Sequence, residues 1–107
     1  MKLLKYIVNW NYHSLVNWTN KLESQVNIQD YKKAIITDEK IINKFNYGID
    51  HEEWVRLTRI RMKLHFKSEN ITQAWQLGNN LLHMMGDDDP ATIELYNEVS
   101  FAKDRLA

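Results

Sequence analysis

Four histidines, His13, His51, His65 and His83, are the side chains in this 107-residue sequence best suited to hold a metal or move a proton near neutral pH. Their spacing speaks against both roles. No two stand at the i, i+4 interval that sets a pair of imidazoles on one helix face. There is no cysteine to add thiolate ligands or disulfides. Asp87-Asp88-Asp89 is the densest acidic run, yet it lacks the spaced acids, mid-loop glycine and distal glutamate of a calcium loop. No glycine-rich phosphate cradle and no nucleophile elbow appear, and the Ser, His and Asp residues make no set. The chain is therefore expected to be non-enzymatic, without catalytic residues, metal or cofactor.

Binding chemistry is better represented. Five of the fourteen Lys and Arg residues (Arg56, Arg59, Arg61, Lys63 and Lys67) fall in one short stretch that contains no acid. On a helix, Arg56, Arg59, Lys63 and Lys67 share an arc of about 80°, a cationic ridge suited to phosphates or to an acidic protein surface. The alternative reading is a solvated face that keeps the protein soluble. A second feature is the outer side of residues 70–85. Thr72, Gln73, Gln76, Asn79, Asn80 and His83 make it polar without a single Lys, Arg, Asp or Glu. Surface helices ordinarily carry Lys and Glu there, whereas interface cores are poor in charge. Tyr6, Trp10, Ile93 and Phe101 fall off the main apolar stripes of their segments, as interface anchors or second packing contacts do. Gln76, Asn79, Asn80, His83, Trp10 and Phe101 are thus the candidate partner-binding residues.

Composition narrows the setting. Apolar residues make up 44% and charged residues 26%, an ordinary globular balance, and the formal net charge is zero. No whole-molecule field draws the chain to nucleic acid. Lys5 interrupts the apolar start and no small-residue cleavage pattern follows, so neither a signal peptide nor a membrane span is expected. A cytoplasmic location follows.

The elements that must position these residues are helical by pattern. One proline and three glycines leave long uninterrupted stretches. Leu4, Ile7, Val8, Leu15, Trp18, Leu22 and Val26 share one arc, predicting a helix over residues 3–26. Ile28–Tyr47 places Ile28, Tyr31, Ile35, Ile42 and Phe45 on one side. Asp38 stands in the middle of that side, so a helix break is expected at Thr37-Asp38; the alternative is a buried acid held for chemistry, for which no partner is visible in the sequence. Tyr47-Gly48 is a stop signal, and Asp50 with Glu53 forms a capping box for the next element. Residues 70–85 bury Ile71, Ala74, Trp75, Gly78, Leu81, Leu82 and Met85. Gly86 is placed for φ > 0, and Asp89-Pro90 opens a last helix that buries Leu95, Val99, Ala102 and Leu106.

Ala74-Trp75, Gly86-Asp87, Ala91 and Leu95 sit near the spacing of a tetratricopeptide hairpin, which residues 74–96 resemble. The stretch departs from that pattern at Leu77-Gly78, one place early, and at Glu98, where a small apolar residue belongs. No second copy is visible, and the resemblance implies only a packed helical hairpin.

Residues 55–67 are the contested segment, because apolar and basic residues alternate there as in a strand. Arg, Met, Lys and Leu favour a helix, and the capping box upstream has no role in a strand. Read as a helix, Leu57, Ile60 and Leu64 form one stripe, with Val55, Met62 and Phe66 about 160° away. Such a helix suits the middle of a bundle. The expected fold is an all-α compact bundle of about five helices in a single domain. The alternative is an α+β fold with strands near 2–10 and 55–67.

These features point to a small protein-binding regulator or inhibitor that occupies a partner's surface. Self-association, and a phage or mobile-element origin, fit its size. The rival is a helical nucleic-acid binder using the ridge at 56–67.

Overall fold

The computed structural model describes residues 2–45 and 50–106, with side chains from Ser14 onward. Five helices form among the described residues: α1 (Lys2–Asn27), α2 (Tyr31–Lys44), α3 (His51–Lys67), α4 (Ile71–His83) and α5 (Pro90–Asp104). No strand occurs among them, so the fold is all-α. Residues 2–10 and 55–67, the candidate strands of the α+β alternative, are helical throughout. No described helix is long and apolar enough to cross a membrane. The chain forms two compact units, Met1–Trp54 and Val55–Ala107.

In the first unit α1 packs along α2. α1 buries Leu15, Thr19, Leu22 and Val26, and α2 buries Ala34, Thr37, Asp38 and Ile41, followed by Phe45 at its C-cap. Thr19 satisfies its buried hydroxyl by donating to the Leu15 carbonyl at 2.8 Å. The break expected at Thr37-Asp38 does not occur. α2 runs unbroken through both residues, and Asp38 is buried and engaged by a polar partner. The buried side also differs from the expected one. Ile28 is 70% exposed and Ile42 is 40% exposed, while Ala34, Thr37, Ile41 and Phe45 supply the i, i+3, i+7, i+11 row that turns inward. Tyr47-Gly48 lies outside the described residues.

The second unit is built on α3, α4 and α5. Met62, Ala74, Leu77, Leu81 and Val99 form its core, with Val55, Phe66, Trp75, Met85, Leu95 and Tyr96 packed against it. Each fully buried aliphatic side chain here contributes about 1.5–3 kcal/mol. Both stripes read for α3 are covered, since Leu57, Ile60 and Leu64 are buried as well. The alternating strip is thus a helix covered on two sides. Leu106 lies beyond the end of α5 and is exposed, contrary to its expected burial.

Local signals set the helix ends. Asp50 accepts from the Glu53 amide at 2.8 Å, Asp30 from the Lys33 amide at 3.2 Å, and Asp89 from the Thr92 amide at 3.2 Å. Asn70 occupies the N-cap of α4 but forms no side-chain cap bond; its Nδ2 lies 3.3 Å from Nδ1 of the buried His65. α1 and α3 terminate alike. Gln29 and Glu69 take φ of 64° and 65°, and the next amides, of Asp30 and Asn70, return to the carbonyls of Gln25 and His65.

Those two turns mark a repetition at a constant spacing of forty residues. Leu15, Leu22 and Val26 of α1 correspond to Val55, Met62 and Phe66 of α3. Ala34, Thr37, Asp38, Ile41 and Phe45 correspond to Ala74, Leu77, Gly78, Leu81 and Met85. The N-cap torsions agree too, φ −87° and ψ 71° at Asp30 against φ −86° and ψ 66° at Asn70. The correspondence is hidden in the sequence because Ala34 and Ala74 are the only identical pair among these positions. The hairpins α1–α2 and α3–α4 are one design executed with different residues.

Candidate functional site

The inner side of α4 is fixed by contact, and that determines which side remains open. Gly78 is the tightest point. A Cβ placed there would lie 2.5 Å from Cδ2 of Tyr96 and 2.8 Å from Sδ of Met62. Only a glycine lets α3 and α5 approach α4 this closely. With Ala74, Leu77, Gly78 and Leu81 turned inward and Trp75 packed against the core, the opposite side of the helix faces out. Thr72, Gln73, Gln76 and His83 are exposed, and Asn79 and Asn80 are half-buried. This face runs about 16 Å along the helix. It has no Lys, Arg, Asp or Glu, and no other described segment buries it. The His83 ring stands edge-on to Tyr96 of α5, with centroids 6.4 Å apart and planes at 81°. Met84, just past α4, is exposed.

Of the other candidate partner-binding residues, Trp10 lies outside the described side chains. Phe101 is 65% exposed, on the side of α5 turned away from the buried Val99, and so is not part of the α4 face. The Arg105 guanidinium sits 5.1 Å from its ring centroid. The structure therefore brings Gln76, Asn79, Asn80 and His83 together and leaves Phe101 on a separate surface.

The basic ridge is less uniform than its sequence. Lys63 and Lys67 are exposed, whereas Arg56, Arg59 and Arg61 are half-buried, and Arg56 and Arg61 are both engaged in further interactions. Arg59 is committed within the fold. Its Nε donates to Oδ2 of Asp87 at 2.8 Å, and its Nη2 donates to the other carboxylate oxygen. The Asp87 side chain is almost wholly enclosed, at 2% exposure against 40% for Arg59. Gly86, at φ 73°, turns the chain so that the Asp87 amide reaches the Leu81 carbonyl and the carboxylate reaches α3. Hydrogen bonding from Arg59 holds the Asp87 carboxyl below the usual aspartate range, against the opposing effect of burial, with help from the Asp89 amide. The same bond raises the Arg59 guanidinium above its ordinary value. Arg59 was legible as a ridge residue; its role as a clamp on the α4–α5 loop was not. The one signal for it was the opposition of a basic strip to an acidic run.

Among the described residues no group of three or more His, Asp and Glu converges as a metal site. No family model matches this chain, and neither curated proteins nor solved structures provide a match.

Proposed function

We propose that this chain is a protein-binding module that regulates or inhibits a partner by covering part of its surface with the outer face of α4. One observation carries the reading. The matching face of α2 presents Lys32, Lys33, Glu39 and Lys40 at the positions where α4 presents Thr72, Gln73, Asn79 and Asn80. The same hairpin design thus carries a charged outer face once and an uncharged one once. Removing charged groups from water is costly, so a charge-free face is the cheaper one to bury in a complex. Side-chain amides each offer donors and an acceptor, which pair with the peptide groups and polar side chains of a protein.

The test compares the two faces. Partner capture from the native cell is measured with the wild-type chain, with Gln76→Lys/Asn79→Lys, and with Lys32→Gln/Lys40→Gln. The α4 variant is expected to lose its partner while circular dichroism stays unchanged, and the α2 variant is expected to retain it. Retention by the α4 variant removes this face as the site. Salt adds a second arm: affinity through an uncharged face falls little between low and moderate salt. A steep fall identifies a phosphate-bearing partner held by Lys63, Lys67 and the neighbouring arginines instead.

A further inference from the structure

The hairpin α1–α2 gathers lysines on one flank. Lys33, Lys40 and Lys44 each stand one residue before a member of the inward row Ala34, Ile41 and Phe45, and so lie to one side of it. Trp18 and Lys21 stand likewise before Thr19 and Leu22 of α1. The two sets meet. The Lys21 ammonium lies 5.2 Å from the Trp18 ring centroid, and that of Lys44 lies 5.7 Å from the same centroid and 5.8 Å from that of Phe45. All four lysines are exposed and Trp18 is half-buried. Carboxylates are scarce here. Of the acids of this hairpin, Asp30 pairs with Lys33 at 3.8 Å and Asp38 is buried in the inward row. Glu23 follows Leu22, on the opposite flank, and Glu39 stands on the outer face of α2. The matching positions of the second hairpin, Thr58, Arg61, Gln73, Asn80 and Met84, hold a single cation. The basic flank is therefore not part of the repeated design.

We infer that this flank binds single-stranded nucleic acid, with Lys21, Lys40 and Lys44 on phosphates and a base stacked on the Trp18 ring. Positive charge without a compensating acid attracts phosphates, and an indole among the lysines adds a flat surface on which any base stacks. Lys40 and Lys44 are like charges at i, i+4, which an anion between them turns from a cost into a contact. A phosphate is a stronger partner for an ammonium than a ring is, so Lys21 and Lys44 turn to the strand and open the indole to a base. A duplex keeps its bases stacked inside, and an acidic peptide brings charge without a series of flat rings. Lys33 to Lys44 covers about 16 Å of helix, room for a few nucleotides. The α3 ridge is the poorer platform, since Arg59 is committed to Asp87. This flank is separate from the α4 face and does not rest on the reading of that face.

Fluorescence anisotropy of a labelled, mixed-sequence single-stranded DNA oligonucleotide with the full chain tests the inference. The wild-type chain is expected to bind, with log affinity falling against log salt at a slope of about −2, as three phosphate contacts on a single strand give. Lys21→Gln/Lys44→Gln is expected to weaken binding about tenfold at low salt and to cut the slope to about −0.7, with circular dichroism unchanged. Lys40→Gln alone is expected to weaken it about threefold. Trp18→Phe is expected to weaken it about threefold at an unchanged slope, because a ring and not a phosphate contact is altered. Lys63→Gln/Lys67→Gln on α3 is expected to leave it unchanged. The duplex of the same sequence should compete less well at equal phosphate concentration. Absence of binding to the strand overturns the proposal, even if vesicles of anionic phospholipid bind. So does a loss on changing Lys63 and Lys67 in place of Lys21 and Lys44. A duplex that competes equally, or an affinity indifferent to Trp18→Phe, overturns the part given to the indole and with it the choice of a single strand.

Discussion

The hairpins α1–α2 and α3–α4 share their turn, their N-cap torsions and their inward positions, yet differ on two surfaces. α1 places Asn17, Asn20 and Ser24 where α3 places Leu57, Ile60 and Leu64, and the first set is exposed while the second is buried. α2 carries charge on its outer face where α4 carries none. The difference teaches that the inward row of a helical hairpin is defined by spacing alone. The residues outside that row record what each hairpin meets. α3 has become a helix covered on two sides, and α4 has kept an open face free of charge.

The sharpest way to break this correspondence is to exchange the residues at its most divergent inward position. Gly78→Asp puts a Cβ 2.5 Å from the Tyr96 ring and 2.8 Å from the Met62 sulfur, and adds a carboxylate to an apolar core. Overpacking together with an unpaired buried charge is expected to cost about 4 kcal/mol or more, a large share of a small domain's stability. The reverse change, Asp38→Gly, removes a buried acid together with its interaction and is expected to cost about 1–3 kcal/mol. Urea denaturation of both variants measures the gap. Equal losses would mean that α4 is not held at Gly78 as tightly as the contacts indicate.

The next exchange concerns Arg59, whose counterpart in α1 is Thr19. Arg59→Thr leaves the enclosed Asp87 carboxylate without its guanidinium, at an expected cost of about 1–2 kcal/mol once the partial exposure of Arg59 is allowed for. The pH dependence gives the sign. Asp87 is held below the usual aspartate range in the folded chain, so its contribution is complete above the unfolded value of about 3.9. That contribution is lost as pH falls through the lower folded value. Thermal melts at neutral pH and near pH 3 should show a smaller acid-induced loss in Arg59→Thr than in the wild-type chain. An identical loss would assign the acid sensitivity to other carboxylates.

What was legible in the sequence follows from what each signal measures. Periodicity reports which residues turn inward, and it placed α4, both stripes of α3 and, within the described part of α1, Leu15, Leu22 and Val26 correctly. It misplaced the inner side of α2 because Ile28 and Ile42 are apolar but exposed, while Thr37 and Asp38 are polar but buried. Hydrophobicity cannot recognise an acid that the fold buries. The pairing of Asp87 was not legible either, since its partner Arg59 stands 28 residues away. The charge-free face of α4 was visible as composition. Its openness, and its contrast with the matching face of α2, needed the repeat. That repeat was invisible because spacing survives in it and identity does not.

The smallest expected effect probes the repeat at its turns. Gln29 and Glu69 both hold the left-handed backbone that terminates α1 and α3, a conformation that costs any residue with a Cβ. Glycine relieves that cost but brings greater freedom to the unfolded chain, so each replacement nets about 0.5–1 kcal/mol of stabilisation. The informative quantity is the difference between the two. The φ values agree within a degree and the returning amide bonds are 2.9 Å at Asp30 and 2.8 Å at Asn70, so Gln29→Gly and Glu69→Gly should raise the unfolding free energy by matching amounts. Matched gains mean that the turns are energetically interchangeable although their residues differ. A gain at one and a loss at the other would show that only the geometry of the hairpin is repeated, with its stability set by the neighbours that each turn meets.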